Sequence, residues 1–175
     1  MLWIMENLGM RNVLLWAVLA GILIFVNLLI FSKEQILENG DTLLLQLAPR
    51  DPRSLLQGDY MILRYTLAAK IGAGLNDSSS IDGKAVVQLD AHGVARFVRL
   101  HDPSQPLNAD QRLLAFRARG GRIRLASDAY FFQEGREKHY RNARYGELRV
   151  AADGNAVLVG LRDGDGRVLG GDEQR

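Results

Sequence analysis

The chain has 175 residues, enough for one domain plus an accessory segment, and its 47% hydrophobic content allows one sizeable core. A net charge of +2 gives no bulk attraction to polyanions, so nucleic acid is not an expected partner and any anion binding needs a local patch. The absence of cysteine excludes disulfides, thiolate nucleophiles and sulfur metal ligands.

Residues 1–12 are a short tail. The next stretch, "VLLWAVLAGILIFVNLLIF" at 13–31, carries no charge. As a helix it spans about 28 Å, close to a bilayer core of about 30 Å. A cleaved signal peptide predicts a shorter apolar run and a small-x-small site, whereas this run continues into "SKEQ", so it reads as a retained transmembrane helix. Arg11 and the terminal amine precede it, and Lys33 follows among Glu34, Glu38 and Asp41. That bias favours an inner (cytoplasmic) membrane protein with its N-terminus inside and its domain extracytoplasmic. Asn27 within the span suits either an interfacial position or a hydrogen bond to a partner helix. Residues 32–41 hold helix formers and then Gly40, a stalk that continues the span.

Residues 42–175 read as one β-rich domain. "TLLLQLA" is strand-like. "KAVVQLD" and "VARFVRL" flank "AHG", "RLLAFRAR" and "RIRLAS" flank "GG", and "GELRVAA" and "AVLVGLR" flank "DGN", each as a hairpin would. "DGDG" then leads to a last strand, "RVLG". Short helical pieces are expected at 52–57 and around 137–143, and a loop over 72–83, "GAGLNDSSSIDG". The fold class is α+β, mainly antiparallel, a hairpin-rich small barrel or sandwich with one N-terminal transmembrane helix.

In "RDPRSLLQGDYMILRY", residues 50–65, Asp51 before Pro52 suits an N-cap and Gly58 suits a helix C-terminus, so "DPRSLLQG" predicts one capped turn. The following strand puts Asp59, Met61, Leu63 and Tyr65 on one face and Tyr60, Ile62 and Arg64 on the other. Large side chains on both faces predict an interior strand. Asp59 is placed to pair with Arg50 or Arg53 as a charged lock on the turn.

"GDYMILRY" resembles the signature of the GDYXXLXY-domain proteins, with Gly58, Asp59, Tyr60, Leu63 and Tyr65 matching every specified position. "PRDPRSLLQ", which contains Asp51 and Arg53, is similar to the family's approach to it. "YFFQEGREKHYRNARYGELRV", residues 130–150, resembles a second family block through Tyr130, Glu134 with Gly135, and Arg144 before Tyr145 and Gly146. The resemblance implies an N-terminal membrane helix and a domain that occurs beside or fused to multi-span membrane proteins; it implies no particular reaction. Read without the family, Tyr130, Phe131 and Phe132 are expected as core anchors. Glu134 is an exposed turn residue, a partner of Arg136 or an acid–base carboxylate, and Arg144 is within reach of Asp59 or Glu134 if the two blocks converge.

"FRARGGRIRL" at 116–125 predicts a two-residue turn with Arg119 opposite Arg122 and Arg117 opposite Arg124. Four guanidiniums on one face are answered either by Asp128, Glu134 or Glu137 of the chain itself or by water, or by an anionic partner such as lipid headgroups, envelope polymer or an acidic protein surface. Enzyme constellations are weak. Ser54 has no base at diagnostic spacing, since Lys70, Lys84 and Lys138 are scattered. His92, His101 and His139 are dispersed, and "DGDG" lacks the later ligands of a calcium loop, so no metal or cofactor is expected. The expected role is an anchored accessory or binding module for a membrane protein or envelope component. The alternative is a membrane-tethered hydrolase or carbohydrate-active enzyme using Asp59 and Glu134.

Overall fold

The computed structural model describes residues 2–48, 60–75 and 80–170. Helix α1 (Leu2–Asn39) runs unbroken from the N-terminal tail into the domain. Its segment Asn12–Asn39 is long and apolar enough to cross a membrane, and its most apolar stretch is buried against nothing else in the chain. Within it the polar side chains bond back to the helix: Asn27 Nδ2 donates to the Leu23 carbonyl and Ser32 Oγ to that of Leu28, each at 2.8 Å.

The helix ends where it meets the domain. The Gly40 N–H donates to the Ile36 carbonyl at 3.0 Å, and Arg149 Nη1 donates to the Gly40 carbonyl at 3.1 Å. A Cβ at Gly40 would lie 3.0 Å from the Val150 nitrogen and 3.1 Å from its oxygen, so only glycine lets the helix end approach the sheet this closely. Ile36 is buried at the same junction. The first strand, β1 (Asp41–Gln46), therefore follows with no linker.

The remaining elements are β2 (Tyr60–Ile62), α2 (Thr66–Ala73), β3 (Ile81–Leu89), β4 (Ala95–Leu100), β5 (Gln111–Arg119), β6 (Arg122–Leu125), β7 (Ala129–Phe131), α3 (Glu137–Tyr140), β8 (Tyr145–Val150), β9 (Ala156–Arg162) and β10 (Val168–Leu169). Among the described residues the strands form sheets of order β1-β8-β9-β10, β4-β3-β5-β6 and β2-β7, with antiparallel pairing. The fold is α+β, with mostly antiparallel sheets and one sheet curled into a half-barrel.

Two backbone contacts join the larger sheets. The Leu44 N–H donates to the Gly93 carbonyl in the β3–β4 loop at 2.9 Å, and the Ala115 N–H donates to the Gly154 carbonyl in the β8–β9 loop at 2.8 Å. Between the sheets lie the fully buried side chains Leu43, Leu45, Val87, Leu114, Leu148 and Leu161. Helix α2 adds Leu67 and Ile71, four residues apart and so on one face, packed against β1, β4 and β6.

The expected hairpins are present, as are a helical turn at Glu137–Tyr140 and a last strand after "DGDG". Three expectations are corrected. The strand of the signature is not interior: among the described residues it pairs only with β7 and spans three residues. Its alternation is nevertheless right, because Met61, Leu63 and Tyr65 are buried while Ile62 is 48% exposed. The loop expected over 72–83 is narrower, since α2 covers its start and β3 its end. Phe131 is no core anchor; it is 74% exposed, because three-residue β7 turns Tyr130 inward and Phe131 outward. Asp51, Arg53, Gly58 and Asp59, together with Arg50, Ser54 and the helical turn at 52–57, lie outside the described residues.

Candidate functional site

The structure brings the two tyrosine-bearing blocks together. β2 pairs with β7 so that Tyr60 faces Phe131, Met61 faces Tyr130 and Ile62 faces Ala129. The Tyr60 and Phe131 rings lie 5.8 Å apart in a tilted arrangement on the outer side of this ribbon. On its inner side Tyr140 packs against Tyr130 and Phe132, with ring centroids 5.3 and 5.0 Å apart.

After Ile62 the chain is held on two sides. The Leu63 N–H donates to the Asp128 carbonyl, and the Arg64 carbonyl accepts from the Ala48 N–H, both at 2.7 Å. Leu47 bridges to Tyr65 and donates its N–H to the Arg144 carbonyl at 2.8 Å, so residue 47 couples the first block to the second. Tyr65 is buried over Gly146. A Cβ there would lie 3.2 Å from the Tyr65 ring and 3.3 Å from Leu158 Cδ1, which explains a glycine between Tyr145 and Glu147. The Tyr65 hydroxyl is buried without a hydrogen-bond partner among the described residues. Burial pushes its pKa up, and the Asp128 carboxylate adds to that shift.

Glu134 and Gly135 form the expected turn before α3, and Glu134 is exposed. Arg144 is exposed and makes no ion pair with a described residue; its contribution here is backbone hydrogen bonding to Leu47 and Arg162. The carboxylate that the second block does engage is Glu147, which accepts both Arg162 Nε and Nη2 at 2.8 Å. This fork raises the Arg162 pKa, chiefly through the Glu147 hydrogen bonds. Glu147 was not singled out as a site residue; it lies on the half-buried face of β8, opposite the buried face of Gly146, Leu148 and Val150, and an acid and an arginine on adjacent hairpin strands were the available signal. Tyr145 and Arg162 border a cleft of about 670 Å³ whose other walls include Lys70, Asp90, His92 and Arg96. Glu134 is not among its lining residues.

The arginine hairpin has the expected register, Arg117 opposite Arg124 and Arg119 opposite Arg122, across a Gly120–Gly121 turn with both φ positive. Acidic groups of the chain answer two of the four. Arg119 pairs with Asp82 at 2.8 Å and Arg124 with Asp128, one of the acids expected to do so. Arg117 and Arg122 have no acidic partner among the described residues. Arg117 and Arg124 line a second cleft, about 580 Å³, that reaches Lys33 at the end of the apolar run. A third hollow of about 450 Å³ also touches Lys33 and is lined by Tyr130, Phe131 and Leu158.

His92 is exposed in the β3–β4 loop, and among the described residues no group of three acidic or imidazole side chains could hold a metal ion. The first aspartate of "DGDG", Asp163, accepts the N–H groups of Asp165 and Arg167 at 3.0 and 2.8 Å, which makes that segment a closed turn.

A family model described as GDYXXLXY protein matches residues 22–161. No curated protein and no solved structure matches the chain.

Proposed function

From the chain's membership of the GDYXXLXY family, which takes in most of its length, we propose a binding role: a single-pass inner-membrane protein, N-terminus inside, whose extracytoplasmic domain serves as accessory module to a multi-span membrane protein or envelope component. The observation that carries this reading is the β2–β7 ribbon. It presents Phe131, 74% exposed, tilted against Tyr60, with Ile62 also exposed beside it. Exposed aromatics on a rigid strand pair suit a docking anchor, because they offer large apolar area at little entropic cost. Phe131 and Lys33 line the same hollow, so the ribbon lies where the apolar run ends and where a membrane partner's extracytoplasmic face would be met.

The hydrolase alternative needs an enclosed carboxylate, and Glu134 is exposed on its turn. To test the docking role, a photo-crosslinking residue is placed at Phe131 or at Val98, an exposed position on β4, and activated in native membranes. A discrete adduct to a multi-span protein or an envelope polymer from position 131 alone is expected. Equal adducts from both positions, or none from 131, would remove the ribbon as the docking surface.

A further inference from the structure

The basic cleft beside Lys33 has a definite place relative to a bilayer. The uncharged run closes at Phe31, and Lys33 is two residues on, about 3 Å farther along the helix axis. The headgroup layer beyond the hydrocarbon core is several Å deep on each side, so a wall shared with Lys33 falls at the level of lipid phosphates. This inference rests on reading α1 as a membrane anchor, as proposed above.

The cleft is built by strand register. Asp82, Arg117 and Arg124 form one row across β3, β5 and β6, and Lys84 opposite Ala115 forms the next row on the same face. Ala115 is small and lines the cleft between the longer side chains around it. Four cations line the cleft, Lys33, Lys84, Arg117 and Arg124, against two anions, Asp82 and Asp128. Asp128 is taken by Arg124, and Asp82 by Arg119 from outside the cleft. Lys33, Lys84 and Arg117 therefore face the cleft outside any ion pair among the described residues, with the Asp153 carboxylate in electrostatic range of Lys84 from beyond the cleft lining. Next to it is the hollow lined by Tyr130, Phe131 and Leu158, and the two share Lys33, Ala126, Ser127 and Ala156. A cationic chamber thus adjoins an apolar one along a common wall at the membrane surface.

We propose that this pair of chambers is a site for one anionic phospholipid of the leaflet the domain faces. The phosphate lies against Lys84 and Arg117 with Lys33 beside it, and the glycerol and first acyl carbons lie toward Phe131. Charge and amphipathic order both match a phospholipid: a planar guanidinium and two ammonium groups for the phosphate, an aromatic-lined hollow for the apolar part. Arg119 and Arg122 belong to the hairpin tip and do not line the site.

The test uses the full chain in nanodiscs of phosphatidylcholine containing phosphatidylglycerol, with bound lipid counted by native mass spectrometry after ejection from the disc. Wild type should retain phosphatidylglycerol well above its share of the bilayer. The pair Lys84→Gln with Arg117→Gln should lose that enrichment about tenfold, the size expected for removing about 1.4 kcal/mol of binding. The pair Arg122→Gln with Lys138→Gln removes the same charge at two exposed positions outside the cleft, leaves the Asp82–Arg119 pair intact and should retain it. No enrichment in wild type, or equal loss in both pairs, overturns the proposal, the second because bulk charge alone would then explain binding. Displacement of the lipid by millimolar inorganic phosphate also overturns it, since the site would then serve a small anion. If the first pair melts below wild type, Lys84→Arg with Arg117→Lys decides, and it must keep the enrichment. Release of the chain from membranes by alkaline carbonate would instead overturn the anchor reading, and it is scored before any lipid is counted.

Discussion

Tyr65 is a signature residue whose hydroxyl is buried without a described partner, and that makes a prediction against first intuition. Removing an unpaired buried hydroxyl relieves a desolvation cost, so Tyr65→Phe should leave stability unchanged or raise it by about 1 kcal/mol in thermal or denaturant unfolding of the chain in detergent. The same residue gives an alkaline limb. Its folded pKa is raised above the unfolded value of about 10, so its effect is constant below that pH. Above about pH 10 the unfolded chain loses a proton that the folded chain keeps, and stability should fall; Tyr65→Phe should reduce that fall. Gly146→Ala is the opposite case. Its new methyl must displace the Tyr65 ring and Leu158, and a loss of about 1–3 kcal/mol is expected in the same unfolding measurement. At this scale the sequence pointed to Tyr65 and Gly146 as members of two blocks, but not to their contact. Leu47, which ties them, carries no polar or turn signal that would mark it.

Hairpins were the most legible elements because turn chemistry and period-2 alternation agree in each. "RARGGRIR" specified its own register: two glycines with positive φ close the strands, which places each arginine opposite another. Helix α2 escaped notice for physical reasons. It has eight residues, two of them threonine and glycine, no side-chain cap, and only Leu67 and Ile71 buried, so its stability comes from packing against β1, β4 and β6. The turns carry a second prediction. Asp90 accepts the backbone N–H groups of Val94 and His92, and Asp153 that of Asn155; these hydrogen bonds lower both carboxyl pKa values. With folded values depressed, their contribution is present above the unfolded value of about 3.9 and is lost as pH falls through the folded ones. Stability should therefore drop below about pH 4. Asp153→Ala should shrink that drop and weaken the loop through which Gly154 holds Ala115, as read by hydrogen exchange at Ala115.

For the whole molecule, the apolar helix and the β-rich domain were both evident from hydropathy and turn spacing. What joins them was not, because the junction depends on a close approach of Gly40 to Val150 that no local pattern encodes. The proposed topology predicts that a C-terminal reporter requiring the extracytoplasmic side is active and one requiring the cytoplasm is not; the reverse result would invert the orientation.

A helix that enters a sheet without a linker behaves as a crank. Each residue of α-helix turns by about 100° and rises about 1.5 Å, so with α1 as the proposed anchor any rotation or tilt of it in the bilayer is passed to the domain at Gly40. One alanine inserted after Phe31 would swing the Lys33 wall and the aromatic ribbon about a quarter turn around the helix axis. Seven would nearly restore the bearing but raise the domain by about 10 Å, off the headgroups. Crosslinking from Phe131 to a membrane partner should be lost in both cases, although the domain folds as before. In the proposed topology the domain's bearing is thus set by phase and height along one helix, and a change in membrane thickness that tilts the helix would re-aim everything the domain presents.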